Sequence, residues 1–168
     1  MAKRLLLMRH AKSSWSDPEL SDAERPLNKR GLRDAPRMGG RLRERLAGTR
    51  PTIVASTALR SRATANLLAG ELGIAEAAVR ILPELYLATP AELASAVELL
   101  DDALECVLLV GHNPGMTEFA AEMSGEALGH LPTCGVVALS LPVSSWVDTR
   151  PGSGTVLWLD CPKRPGQL

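Results

Sequence analysis

Apolar residues fall in short blocks along this chain rather than in one long stretch. Leu5–Met8, Thr52–Ala55 and Val107–Val110 are each too short for a helix and rich in branched side chains. Runs of this kind, placed between helix-like stretches, predict strands buried on both faces of a parallel sheet. Val79–Leu82 is a weaker run of the same type. Gly135–Leu141 and Thr155–Leu159 predict two more strands, which can pair with each other at one edge of the sheet across a polar loop holding Pro142 and Pro151.

The helix starts are better marked. Thr89-Pro90-Ala91-Glu92 has the form of a capping box with proline at the first helical position. Asn113-Pro114 repeats that logic, with asparagine as the cap. Another helix is predicted over about Ala58 to Leu72, capped by Ser56 or Thr57 and closed by Gly73. From Asn28 to Leu46, the residues Leu32, Ala35, Met38, Leu42 and Leu46 recur at helical spacing and predict an apolar face. Pro36 interrupts that pattern and predicts a kink or a late start.

Composition narrows the picture. The chain of 168 residues is 45% hydrophobic, enough for one domain with a core of its own, so residues 1–168 are read as a single unit with a tail frayed from about residue 160. Lysine plus arginine equal aspartate plus glutamate at 19 each. A neutral chain has no global field for nucleic acid or anionic lipid, and the arginines between Arg37 and Arg50 read as a solvated helix face. The apolar run near the start is too short for a secretory leader or a membrane span, which predicts a cytoplasmic protein with no membrane partner. Cys106, Cys134 and Cys161 are odd in number and lie in or near apolar runs, as expected of reduced structural thiols.

Ligands of open α/β sheets bind beyond the carboxyl ends of the strands. Three polar clusters fall at such points: Arg9-His10 after the first strand, Ser56 to Arg60 after the second, and Gly111-His112-Asn113 after the fourth. Alone, an arginine-histidine pair or a histidine after an apolar run is ordinary. Their placement at successive strand ends predicts an anion pocket of two arginines and two imidazoles. Guanidinium groups bind phosphate oxygens in pairs, and a neutral imidazole can accept a phosphoryl group. The chain has no Cys-x5-Arg loop, no Asp-x-Asp after a strand, no Gly-x4-Gly-Lys loop and no paired-histidine metal spacing. The expectation is therefore phosphoryl transfer without metal or cofactor.

Leu6-Leu7-Met8-Arg9-His10-Ala11 resembles the Arg-His-Gly motif of the histidine phosphatase superfamily, with alanine where most members have glycine. That alanine, together with Ala11-Lys12-Ser13-Ser14-Trp15 and Arg25-Pro26-Leu27-Asn28-Lys29-Arg30-Gly31, resembles the SixA-type phosphohistidine phosphatases. The likeness continues through Ser56-Thr57-Ala58-Leu59-Arg60, Thr64-Ala65, Glu84-Leu85-Tyr86 and Val110-Gly111-His112-Asn113-Pro114-Gly115.

The resemblance implies a phosphoglycerate mutase-like α/β fold, mostly parallel and flanked by helices. It implies His10 as phosphorylated nucleophile, Arg9 and Arg60 as phosphate clamps, His112 as the second pocket histidine and Glu84 as proton donor. Ser13, Ser16 and Asn113 are expected to touch the substrate, whereas His130 stands outside any motif. Only one capped helix fits between Tyr86 and Cys106, so no large lid insertion is expected. An uncovered pocket favours a phosphohistidine on a protein such as a histidine phosphotransfer domain. A phosphatase of small sugar or nucleotide esters is the alternative, and a phospho-binding module without turnover is a weaker one.

Overall fold

The computed structural model describes residues 2–167. A six-stranded sheet forms its centre: β1 (Lys3–Arg9), β2 (Thr52–Ala55), β3 (Arg80–Ile81), β4 (Cys106–Gly111), β5 (Val136–Leu141) and β6 (Thr155–Asp160). The spatial order is β3-β2-β4-β1-β5-β6. The first four strands in that order are parallel, while β5 and β6 close the far side antiparallel. The predicted pairing of the last two strands is thus present, with β5 also paired to β1.

Side chains alternate across each strand, and both faces are covered. Leu6, Met8, Leu108 and Val110 point into one core, roofed by α1 (Lys29–Leu46) and α2 (Leu59–Leu72). Leu5, Leu7, Val107 and Leu109 point into the other, covered by α3 (Pro90–Glu98) and α4 (Gly115–Ser124). This double burial is why the strands read as unbroken apolar runs. At the edge, β3 keeps only two residues, both exposed, and it had the weakest signal.

Several expectations need correction. Helix α1 starts at Lys29 with Asn28 as its cap and runs through Pro36 to Leu46, so the start is not late. Its buried residues are Gly31, Asp34, Ala35, Met38, Gly39, Leu42 and Leu46, whereas Leu32 is 54% exposed. Two glycines displace the inward stripe, because the helix lies too close to its neighbours for side chains there. A Cβ on Gly31 would collide with the main-chain oxygen of Lys12. Neither Ser56 nor Thr57 caps α2, whose cap position is Ala58 with no side-chain bond. Helix α4 has Pro114 at its cap position, following a cis Asn113–Pro114 bond. Asn113 still serves that helix from one residue earlier, its Oδ1 accepting from Thr117 N at 3.2 Å and Thr117 Oγ1 at 2.9 Å. In the tail, Asp160 Oδ1 accepts from Cys161 N at 2.8 Å and Gly166 N at 2.9 Å. The capping box at Thr89 and the closing Gly73 are as predicted.

Candidate active site

Strands β1 and β4 lie side by side with Arg9 opposite Gly111, and His10 N donates to Gly111 O at 3.0 Å. This register brings the residues that follow the two strands together. The rings of His10 and His112 lie 5.2 Å apart between centroids. The next strand, β2, hands Ser56 to the same place, and the first turn of α2 supplies Arg60, of which 2% is exposed.

Hydrogen bonds define the state of each ring. His10 Nδ1 donates to Ala11 O at 2.7 Å, and Arg60 Nε donates to His10 Nε2 at 3.3 Å. A carbonyl can only accept and a guanidinium can only donate, so His10 carries its proton on Nδ1 and an available lone pair on Nε2. In His112 the pattern is reversed. Arg60 Nη2 donates to Nδ1 at 3.3 Å, while Nε2–H reaches Ser56 Oγ at 2.6 Å. Ser61 Oγ lies 3.3 Å from the same nitrogen. Burial, reinforced by Arg60 and Arg9, pushes the His10 imidazole down to about 4. Burial together with His10 and Arg60 pushes His112 down to about 3. Both rings are neutral at physiological pH.

This has a consequence for stability. Between pH 6.5 and about 4 the unfolded chain protonates both imidazoles while the folded one leaves them neutral, so stability falls as pH falls through that window. The expected slope is about 1.4 kcal/mol per pH unit for each ring. Urea midpoints measured from pH 7 to pH 5 check this, and His112→Gln should flatten the slope.

The guanidinium groups are held differently. Arg9 Nη1 donates to Leu131 O at 3.2 Å, but its Nε is buried with no hydrogen-bond partner among the described residues. Arg60 is bound by Asp22, a residue on the 3-10 turn Asp22–Glu24, both through the main-chain oxygen and through Oδ2 at 2.8 Å. Asp22 Oδ2 also accepts from Tyr86 Oη at 2.6 Å, and Oδ1 from Arg25 Nε at 3.2 Å and Nη2 at 3.1 Å. Burial acts against the Asp22 carboxylate, yet the bonds from Tyr86, Arg60 and Arg25 hold it well below the ordinary carboxylate range. Tyr86 stands edge-on to His112 with centroids 5.4 Å apart.

His10, Arg60 and His112 therefore form one hydrogen-bonded cluster, and the Arg9 charge is close enough to act on both rings. Ser13 is buried beside it, with its hydroxyl engaged by Arg25 Nη1 at 2.7 Å. Ser16 is exposed and bonds Ser14 at 2.8 Å. Asn113 Nδ2 donates to Leu131 O at 2.7 Å and lies 3.3 Å from the exposed His130, so its amide fastens loop to helix. Glu84 is not brought to the pocket. In the turn Pro83–Leu85 the leucine enters the core and Tyr86 follows into the pocket, which leaves Glu84 exposed in a separate groove with Arg80, Leu82 and Leu100. The carboxylate that does reach the pocket, Asp22, escaped the sequence reading. Its surroundings carry no periodicity, and the one local signal is a Ser21-x-x-Glu24 box, in which Glu24 Oε2 accepts from Ser21 N at 3.1 Å.

The family model of the histidine phosphatase superfamily (branch 1) matches residues 5–87. An uncharacterized protein of Mycobacterium tuberculosis is 32% identical over 166 residues, covering 93% of this chain and 100% of that one. The crystal structure of a candidate phosphohistidine phosphatase SixA from Agrobacterium tumefaciens superimposes with a TM-score of 0.78 at 28% identity, over 95% of this chain and 97% of that one. A mycobacterial glucosyl-3-phosphoglycerate phosphatase, 17% identical with a TM-score of 0.66 over 93% of this chain and 98% of that one, shares the fold alone. On the family match, these relatives and the paired pocket histidines, the chain belongs to the histidine phosphatase superfamily and is a histidine-nucleophile phosphatase acting on a phosphorylated substrate.

Proposed function

We propose that the protein removes phosphoryl groups from protein phosphohistidine through a covalent intermediate on His10. The observation that carries this reading is the tautomer of His10: with Nδ1–H tied to Ala11 O, the neutral ring presents the Nε2 lone pair to the space bounded by Arg60 and His112. Nε2 attacks phosphorus, and the bond from phosphorus to the leaving imidazole breaks with its electron pair going to that imidazole. Water then attacks the phosphorylated His10, the P–N bond breaks, and its pair returns to Nε2 as inorganic phosphate forms.

Arg9 and Arg60 face the charge that spreads over the phosphoryl oxygens, with the buried Nε–H of Arg9 as an uncommitted donor. His112 completes the clamp beside Arg60. The substrate class is supported by proton supply. Among the described residues Asp22 is the one carboxylate bonded to this cluster, and its partners keep it ionised, a poor donor to an alkoxide. A phosphohistidine protonated at its second nitrogen departs as neutral imidazole and needs no such donor. The single nine-residue helix α3 between Tyr86 and β4, with no lid insertion, agrees with a substrate carried on another protein. The three free, buried cysteines fit a reducing cytoplasm.

A panel of phosphorylated histidine phosphotransfer domains, free phosphohistidine and small sugar and nucleotide esters tests the reading. The carriers should be cleaved with the highest kcat/KM, because contacts remote from phosphorus lower the barrier only when the carrier is present. A small ester cleaved above about 10⁴ M⁻¹s⁻¹ while carriers stay untouched would instead establish the small-ester reading.

A further inference from the structure

The cationic clamp of the pocket already carries an anion of its own. A guanidinium has five N–H bonds. In Arg60 one goes to His10 Nε2, one to His112 Nδ1 and one from each terminal nitrogen to Asp22, which leaves one on Nη1. Asp22 is anchored in turn by Tyr86 and Arg25, and Arg25 is braced by Ser13 and stacks on Trp15 at 3.5 Å. Without this carboxylate, the side chains hydrogen-bonded to Arg60 among the described residues would be two neutral rings.

We propose that Asp22 is a positioning and specificity-determining residue: its carboxylate aims Arg60 at His10 and, by sharing that guanidinium with the phosphoryl group, weakens the hold on inorganic phosphate so that product leaves. Once phosphorus is bonded to His10 Nε2, that lone pair no longer accepts, and the Arg60 Nε–H turns to a phosphoryl oxygen. Phosphoryl group and carboxylate then occupy two edges of the buried Arg60 guanidinium, close enough to repel although the Asp22 side chain is itself 41% exposed. The attraction of Arg60 is divided between them. This inference rests on the pocket being the site of phosphoryl transfer.

Competitive inhibition by inorganic phosphate tests it. Asp22→Asn keeps an acceptor oxygen and removes the charge, so its Ki for phosphate should fall about tenfold, with KM for a phosphorylated carrier falling alongside and kcat reduced as release slows. Glu24→Gln removes a neighbouring charge that is bonded to Ser21 and not to the pocket, and its Ki should stay at the wild-type value. Tyr86→Phe leaves the Asp22 charge in place and should not tighten phosphate either. Asp22→Ser is a second neutral variant should the asparagine fold poorly. An unchanged or raised Ki in the folded neutral variants, with wild type both binding phosphate and turning over, overturns the role of Asp22 alone. A wild type that neither binds phosphate nor releases it from any phosphorylated substrate overturns the functional reading and this inference with it.

Discussion

His10→Ala is expected to lower kcat at least about 10⁴-fold on every phosphorylated substrate, since removing a nucleophile leaves only the binding and charge-stabilising contributions of the pocket. The physical case rests on Nε2 of the ring that directly follows β1 beside Arg9. Its lone pair meets only a guanidinium N–H at 3.3 Å; the lone pair of His112, on Nδ1, meets the same guanidinium at 3.3 Å, and the other nitrogen of that ring is committed to Ser56. Rapid quenching of the wild type during turnover should trap an acid-labile, alkali-stable phosphate on His10, and the variant should trap none. The ring is buried but small, and His10→Ala should still fold, as near-UV dichroism can verify. Turnover near the wild-type rate in a folded His10→Ala protein would exclude the covalent route.

Arg60→Ala should reduce kcat/KM by about 10²–10³-fold, the range for loss of one preorganised charge-stabilising donor, while Glu84→Ala should stay within a few-fold of wild type. Arg60 is the shared partner of His10, His112 and Asp22, so alanine removes a phosphate donor and also frees the groups that it aligns. Arg60→Lys should recover little, because one ammonium cannot serve acceptors spread around the edges of a planar fork. Glu84 points into a groove whose lining shares no residue with the pocket, and its loss removes only a solvated charge. Steady-state kinetics on a phosphorylated carrier would decide the ranking. Equal losses for the two variants would show that Glu84 reaches the substrate.

The histidines and arginines could be read from the chain because each lies directly after an apolar run, and chain direction alone places such residues at the carboxyl edge of a parallel sheet. Asp22 could not be read that way. It sits on a three-residue turn in a polar segment, and its approach to Arg60, 38 positions away, depends on how that segment folds over the pocket. Glu84, named by resemblance alone, lies exposed in a separate groove, because the 3-10 turn that sends Leu85 into the core rotates its neighbours to different sides.

By itself, then, the sequence determined the α/β class, the buried strands and the capping box of α3, and it placed the candidates His10, Arg9, Arg60 and His112 at strand ends, because burial on two faces and capping leave marks at fixed local spacing. Tertiary structure alone decided which ring nitrogen of His10 is free, that Ser56 serves His112 instead of capping α2, and that Asp22 rather than Glu84 supplies the pocket carboxylate. Each of these turns on a hydrogen bond across the fold, whose partners are chosen by strand register and loop path and leave no periodic trace in the chain.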